Sequence, residues 1–110
     1  MADDDLQATS LEEDIRLKLN RETSKIHWHE LQKFYAKGAV VAVNKGMDLI
    51  DVAVQFSEDN KAQVEAWLTE GCVGLVKDKQ AQQWYQENTL HWAVVIAPWV
   101  LVQAVEEPAQ

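Results

Sequence analysis

The sequence predicts a single α+β domain, or a small α/β one, in which roughly four to five helices pack as one layer on a sheet of about three strands. Three observations lead to this fold class. Short β-branched apolar runs recur along the chain, and the stretches between them carry apolar residues at helical spacing. Residues that cap helices stand where several of these stretches begin. Helical crossovers between successive strands favour parallel neighbours joined right-handedly.

Composition limits the function classes. Eighteen acidic residues against ten Lys and Arg give a formal net charge of −8, which repels phosphate backbones and anionic lipids, so we expect no nucleic acid and no membrane as partner. The single cysteine, Cys72, excludes an intramolecular disulfide, and the start MADDDLQ lacks the features of a signal peptide, which predicts a cytoplasmic protein. We expect residues 1–9 to be an acidic flexible tail, 10–105 one globular domain and 106–110 a frayed C-terminus.

The first third of the chain predicts two helices. The first begins with a capping box, in which Ser10 and Glu13 each accept from the other's backbone amide. Its buried face is a stripe of residues three or four positions apart: Leu11, Ile15, Leu19, Thr23 and Ile26. The second helix continues this spacing through Trp28, Leu31, Phe34 and Tyr35 and ends at Gly38.

The middle of the chain predicts a strand followed by two helices. The run AVVAV at residues 39–43 is β-branched and precedes the turn signal NKG, which is typical of a buried strand. Residues 48–57 fit both a helix and an alternating strand, and Asp48 favours the helix because its side chain can cap the first turn. Asp59 or Asn60 then caps a helix that ends at Gly71.

The last third predicts two strands around a short helix. The run CVGLV at residues 72–76 is the second strand, and Asp78 caps the helix after it. The run LHWAVVIA at residues 90–97 is typical of a third strand buried on both faces. Pro98 interrupts this strand, and WVLVQ extends it after a bend or bulge.

Two histidines flank a tryptophan in SKIHWHELQKFY, residues 24–35. On a strand, His27 and His29 share a face and can ligate one zinc or nickel ion, whereas on a helix they lie about 200° apart. The helical interpretation leaves only His27 with Glu30 as metal ligands, which is too few for a strong site. The simpler interpretation is two surface histidines, with Glu30 near the free amides of a first turn.

Carboxylates around a tryptophan define a candidate ligand pocket. Its residues are Trp28, Glu30, Asp48, Asp51, Asp59 and Asn60. Such carboxylates suit a divalent metal or general acid–base chemistry, and helix capping explains them equally well. Cys72 and His91 form a nucleophile–base pair only if their strands are neighbours. Because no phosphate loop, dinucleotide fingerprint or nucleophile elbow is present, the sequence favours a protein that is not an enzyme and predicts no cofactor.

Three stretches carry a resemblance to a known family: LNRETSKIHWHELQKFYAKGAVVAV, DLIDVAVQFSEDNKAQVEAWL and WAVVIAPWVLVQ. They cover nearly everything from Leu17 to Gln103 and resemble a family of short, uncharacterised bacterial and cyanobacterial proteins, the domain of unknown function 2288. The most specific parts are PWVLVQ at residues 98–103 and the pair Asp59 and Asn60. The resemblance implies a bacterial cytoplasmic setting, and it implies no activity, cofactor or catalytic residue.

The five tryptophans suggest the leading functional hypothesis. Most lie on predicted buried stripes, but Trp99 follows Pro98 at what the sequence predicts to be a sheet edge, where a second copy of the strand would pair and make a homodimer. We therefore expect a small acidic interaction or scaffolding module that associates with itself through Pro98, Trp99 and Gln103. The alternative is a small-ligand or divalent-metal-binding protein that uses the candidate ligand pocket.

Overall fold

A computed structural model, which describes residues 13–105, has five helices and five strands within that range. Helix α1 covers residues 13–22 of the described chain. The elements that follow are β1 (Ser24–His27), α2 (Trp28–Ala36), β2 (Val40–Val43), α3 (Leu49–Ser57), α4 (Lys61–Glu70), β3 (Val73–Leu75), α5 (Asp78–Glu87), β4 (Leu90–Ile96) and β5 (Trp99–Ala104). The predicted α+β class is confirmed, and the predicted number of strands is too small.

The five strands form one mixed sheet in the order β1-β4-β5-β2-β3. Only β2 and β5 are parallel, whereas the pairs β1/β4, β4/β5 and β2/β3 are antiparallel. The expectation of parallel neighbours is therefore wrong for most of the sheet. For β4 and β5 the physical reason is the turn at Ala97 and Pro98, which reverses the chain so that Trp99 pairs with Ile96. The run WVLVQ is thus a strand of its own.

Strand β1 occupies residues for which the sequence predicts helix. Its four residues pair with β4 in antiparallel register, from Ser24 opposite Ala93 to His27 opposite Leu90. Ile26 therefore lies on a strand, although it continues the helical spacing of α1. Helix α2 begins only at Trp28, and the pairing with β4 decides the conformation because four residues of mixed pattern favour neither state by themselves.

Helices cover both faces of the sheet, so the expectation of one helical layer is wrong. On one face lies the α3-side core, which includes Leu19, Val52, Val94 and Leu101. On the opposite face lies the α2-side core, which includes Trp28, Leu31, Ala81, Ala93 and Val102. Successive residues of a strand point to opposite faces, and Val100, Leu101 and Val102 are all buried. Both faces of β5 therefore need a covering layer.

Most of the predicted helix ends are observed. Residues 48–57 form a helix with its cap, since Asp48 accepts from the amides of Ile50 and Asp51. Asn60 caps α4, and Gly71 ends it in a left-handed conformation with φ of 81°. Asp78 is not a cap, because α5 begins at that residue and the capping position is Lys77.

Some predictions fall on residues that are not described. The capping box needs Ser10, and the tail at 1–9 and the frayed end at 106–110 also lie outside residues 13–105. Within the described range, no helix is both long and apolar enough to cross a membrane.

Candidate functional site

The predicted interaction residues do not lie at a sheet edge. Strand β5, which begins at Trp99 and contains Gln103, is the central strand of the sheet, with β4 on one side and β2 on the other. Its backbone has no free side for a second copy of the chain. Trp99 is partly buried and packs against the α3-side core, while Pro98 is exposed in the β4–β5 turn. Self-pairing through this strand is therefore excluded by the topology.

Gln103 has a structural task that its position in β5 explains. Its Nε2 donates to the carbonyl oxygens of Asn44 at 2.9 Å and Met47 at 2.7 Å. These carbonyls belong to the loop that leads from β2 to the N-cap of α3. Both hydrogens of one amide thus hold the loop in place, and each such bond contributes about 1 kcal/mol.

The residues of the candidate ligand pocket have separate structural roles. Trp28 is fully buried in the α2-side core, whereas Glu30 is exposed on α2. Asp51 forms an ion pair of 2.5 Å with Arg16, and both side chains are partly exposed. Asp59 follows the end of α3 at a φ of 55°. Asn60 caps α4 and also donates to the side-chain oxygen of Gln55 at 2.7 Å.

The histidines are separated by an element boundary. His27 is the exposed last residue of β1, and His29 lies in the first turn of α2, where its Nε2 is 2.8 Å from the carbonyl oxygen of Tyr85. The two rings of His29 and Tyr85 also stack at 4.5 Å. No group of three or more His, Cys, Asp or Glu residues in the described chain is arranged to hold a metal ion.

A cluster of aromatic rings lies where α2 and α5 cross the sheet. The ring of Trp28 is 5.2 Å from that of Trp84 and 5.6 Å from that of His91, and Trp84 meets His91 edge-on at 4.4 Å. Tyr35 extends the cluster on α2, and its hydroxyl donates to Asp78 at the start of α5. This hydrogen bond is the main cause that raises the pKa of Tyr35 above 10.0.

His91 is a neutral imidazole in this cluster. Its side chain is fully buried, and burial lowers its pKa from 6.5 to about 4, against the smaller opposing effect of the hydrogen bond to Thr89. Because the carbonyl oxygen of Thr89 only accepts, the Nδ1 that lies 3.0 Å from it carries the hydrogen. The Nε2 of His91 and the Nε1 of Trp28 are buried without a hydrogen-bond partner among the described residues. Cys72 cannot be paired with His91, since β2 and β5 lie between β3 and β4.

An open cleft extends from the sheet edge that β3 forms across the ends of the other four strands. Its volume is ≈ 1390 Å³, and every residue from 71 to 77 lines it. We call residues 71–77 the β3 edge. Trp84 lines the cleft from α5, and the cleft also contacts Leu68 and Leu75, which are 49% and 56% exposed. The sequence shows the strand but not that it ends the sheet, because strand order depends on pairing between distant segments.

A smaller pocket lies at the other side of the sheet. It has a volume of ≈ 320 Å³ and is lined by Asn20, Thr23, Asp48, Leu49, Ile50, Trp92 and Gln103, which together we call the Trp92 pocket. Asp48 and Gln103 both line this pocket. The sequence predicts them in different sites, Asp48 in the candidate ligand pocket and Gln103 on the interaction surface. Trp92 was only one of five tryptophans in the sequence, and no local pattern distinguishes it.

Comparisons with known proteins give the family of this chain. The family profile described as "Protein of unknown function (DUF2288)" matches residues 14–104. The chain belongs to the DUF2288 family. The NMR solution structure of PA1075 from Pseudomonas aeruginosa resembles this DUF2288 protein with a TM-score of 0.75 and 38% sequence identity, over 88% of this chain and 90% of that chain. No curated protein matches the sequence of the chain. The family is described as one of unknown function, and the two surfaces of this chain that suggest one are the β3 edge and the Trp92 pocket.

Proposed function

We propose that this protein is an interaction module whose copies associate with one another through the β3 edge. The observation that carries the proposal is the edge strand β3, which contains no charged residue and exposes Leu75, together with the exposed Leu68 on α4. The occupant to which the proposal commits is a second copy of this chain, paired antiparallel about Gly74.

The backbone of β3 is suited to such pairing. The amide of Asn44 donates to Cys72 and the amide of Val76 donates to Val40, so residues 72, 74 and 76 direct their backbone groups toward β2. Because neighbouring residues of a strand direct these groups to opposite sides, Val73 and Leu75 direct theirs away from the sheet. A two-fold axis at Gly74 brings Val73 opposite Leu75 of the second copy, which forms four backbone hydrogen bonds.

The side chains around the strand favour the same occupant. Leu68 and Leu75 are large apolar residues that remain about half exposed in the single chain, and pairing would remove them from water. Glu70 precedes the β3 edge and Lys77 is its last residue. Antiparallel pairing brings Lys77 of one copy beside Glu70 of the other at both ends, which is complementary in charge.

The opposite edge of the sheet is protected in a way that β3 is not. Strand β1 carries Lys25, whose Nζ lies 4.8 Å from the centre of the Trp92 ring. A lysine on an edge strand opposes pairing, because association would bury or displace its charge. Residues Val73, Gly74 and Leu75 include no charge. The proposal therefore concerns one edge and predicts a closed dimer rather than a filament.

The test is the mass of the full chain in solution. Sedimentation velocity over a range of protein concentrations should give twice the 12.5 kDa mass of one chain. Leu75→Lys should be monomeric, because it introduces a charge at the pairing edge. Val95→Lys is the matched control: Val95 is 61% exposed on β4, and this variant should remain dimeric. A monomeric wild type, or a Leu75→Lys variant as dimeric as the control, would overturn the proposal.

Hydrogen exchange of the wild type provides a second test that does not depend on a variant folding. The amides of Val73 and Leu75 should exchange more slowly at high protein concentration than at low concentration, because pairing protects them. The amide of Lys25 on β1 should be unaffected. Equal exchange of Val73 and Leu75 at both concentrations would contradict pairing through this edge.

A further inference from the structure

We propose that the Trp92 pocket binds a neutral, hydroxyl-rich small molecule, of the size of a monosaccharide or a cyclic polyol. The inference is independent of self-association, because Trp92 lies on β4, three strands away from β3 in the sheet. It rests on the position of the pocket, on the hydrogen-bonding groups that face it and on its charge.

The pocket is built from the sheet and two helices. Trp92 and Gln103 are directly opposite each other on β4 and β5, so their side chains stand on the same face and form the floor. The end of α1 contributes Asn20 and, just beyond it, Thr23, while the start of α3 contributes Asp48. A site supported by regular elements holds its groups in fixed geometry.

Two acceptor groups of the pocket are oriented by bonds that leave an oxygen available. Gln103 uses both hydrogens of its amide on the carbonyls of Asn44 and Met47, so its Oε1 remains as an acceptor. Asp48 uses Oδ1 for the amides of Ile50 and Asp51, and its Oδ2 remains. These oxygens accept hydrogen bonds from hydroxyl groups, and Asn20 can both donate and accept.

The indole supplies the apolar part of the site. Trp92 is 38% exposed and borders the pocket. The face of an aromatic ring carries partial negative charge and attracts the polarised C–H groups of a sugar or polyol ring. Lys25, whose ammonium lies over the same ring, fixes the indole from the neighbouring strand.

Charge and size select the class of ligand. Asp48 is the pocket's single charged lining residue, and the first amides of α3 stabilise its carboxylate. One carboxylate and no cationic side chain in the lining favour a neutral ligand over an anion, and the described residues offer no group of three or more metal ligands. The volume of ≈ 320 Å³ is at the lower end of ligand pockets, which suits one ring.

The test is an amide NMR titration of the full chain with a panel of glucose, galactose, mannose, ribose, myo-inositol and glycerol, together with inorganic phosphate and tetramethylammonium as charged probes. We expect at least one sugar or polyol to shift the amide resonances of Asn20, Asp48 and Gln103 in a saturable manner. The proposal is overturned if no uncharged member of the panel does so, or if only a charged probe does.

Variants separate specific binding from general contact with aromatic rings. Trp92→Ala should weaken the affinity for the panel member that binds by at least about tenfold. Asp48→Asn should also weaken it, because asparagine preserves the helix cap but removes the negative acceptor. Tyr85→Ala removes an aromatic ring that is 51% exposed on α5 and should leave the affinity unchanged. Equal affinities of the Trp92 and Tyr85 variants would contradict the proposal.

Discussion

At the scale of single residues, folding changes the ionisation of His91. Its imidazole is held between Trp28 and Trp84 with no exposed surface. Burial lowers its pKa to about 4, whereas the unfolded chain has the ordinary value of 6.5. Between these values the unfolded state binds the proton and the folded state does not. Protonation of the unfolded state therefore does not lower the free energy of unfolding above pH 6.5, and it lowers this free energy progressively as the pH falls toward 4.

This difference predicts a specific acid sensitivity. The free energy of unfolding should fall between pH 6.5 and 4, with His91 contributing up to about 3 kcal/mol of the loss. Urea denaturation at several pH values measures the slope. His91→Gln should have a shallower slope than the wild type, whatever its absolute stability. Equal slopes for the wild type and His91→Gln would contradict a lowered pKa of His91.

At the scale of elements, α2 depends on a cap from another part of the chain. The capping position, His27, makes no side-chain bond. Instead the amide of Trp28 donates to the carbonyl oxygen of Thr89 at 2.8 Å, and the amide of His29 donates to Oδ1 of Asn88 at 3.0 Å. Asn88 also ends α5 in a left-handed conformation, with φ of 47°. One asparagine thus ends one helix and caps another.

Substitution of Asn88 separates its two tasks. Asn88→Gly keeps the left-handed conformation and loses the cap, which should lower the free energy of unfolding by about 1 kcal/mol. Asn88→Ala loses both and should cost about 2 kcal/mol. Asp59→Gly is the control, because Asp59 has a similar φ of 55° and should be neutral or slightly stabilising. Thermal or urea unfolding measures all three, and a neutral Asn88→Gly variant would exclude the cap.

Several elements were predictable because their signals are local. Asp48 and Asn60 stand one residue before helices with apolar stripes, and Gly71 supplies the left-handed end of α4. Strand β1 was not predictable, since its pairing with β4 joins residues more than sixty positions apart. The cap of α2 by Asn88 was not predictable for the same reason. Glu30, an acidic residue in the first turn of α2, suggested instead that this turn is stabilised locally.

At the scale of the whole molecule, stability is centred on β5. This strand lies between β4 and β2 and has helices on both faces, so Leu101 is fully buried among residues of the α3-side core. The apolar surface that it buries is distributed over contacts with both halves of the chain. Loss of packing at this strand therefore weakens both layers of helices at once.

Shortening a buried side chain of the central strand should lower the free energy of unfolding. Leu101→Ala should lower the free energy of unfolding by about 2–5 kcal/mol, because it leaves a cavity at the centre of the sheet. Leu17→Ala is the matched control: Leu17 is 59% exposed, and its loss should change stability by less than about 0.5 kcal/mol. Urea denaturation of the two variants measures the difference. Similar stabilities would contradict a packed centre at β5.

Composition and local sequence were enough to predict the α+β class, the acidic charge, the family resemblance and the helix ends at Asp48, Asn60 and Gly71, because each depends on composition or on neighbours a few residues away. The strand order became known only from the folded chain. That order placed Trp99 and Gln103 in the centre of the sheet, left β3 at an edge and brought Asp48, Trp92 and Gln103 to one pocket. Hydrogen bonds between strands join segments distant in sequence, and no local pattern records which segments meet.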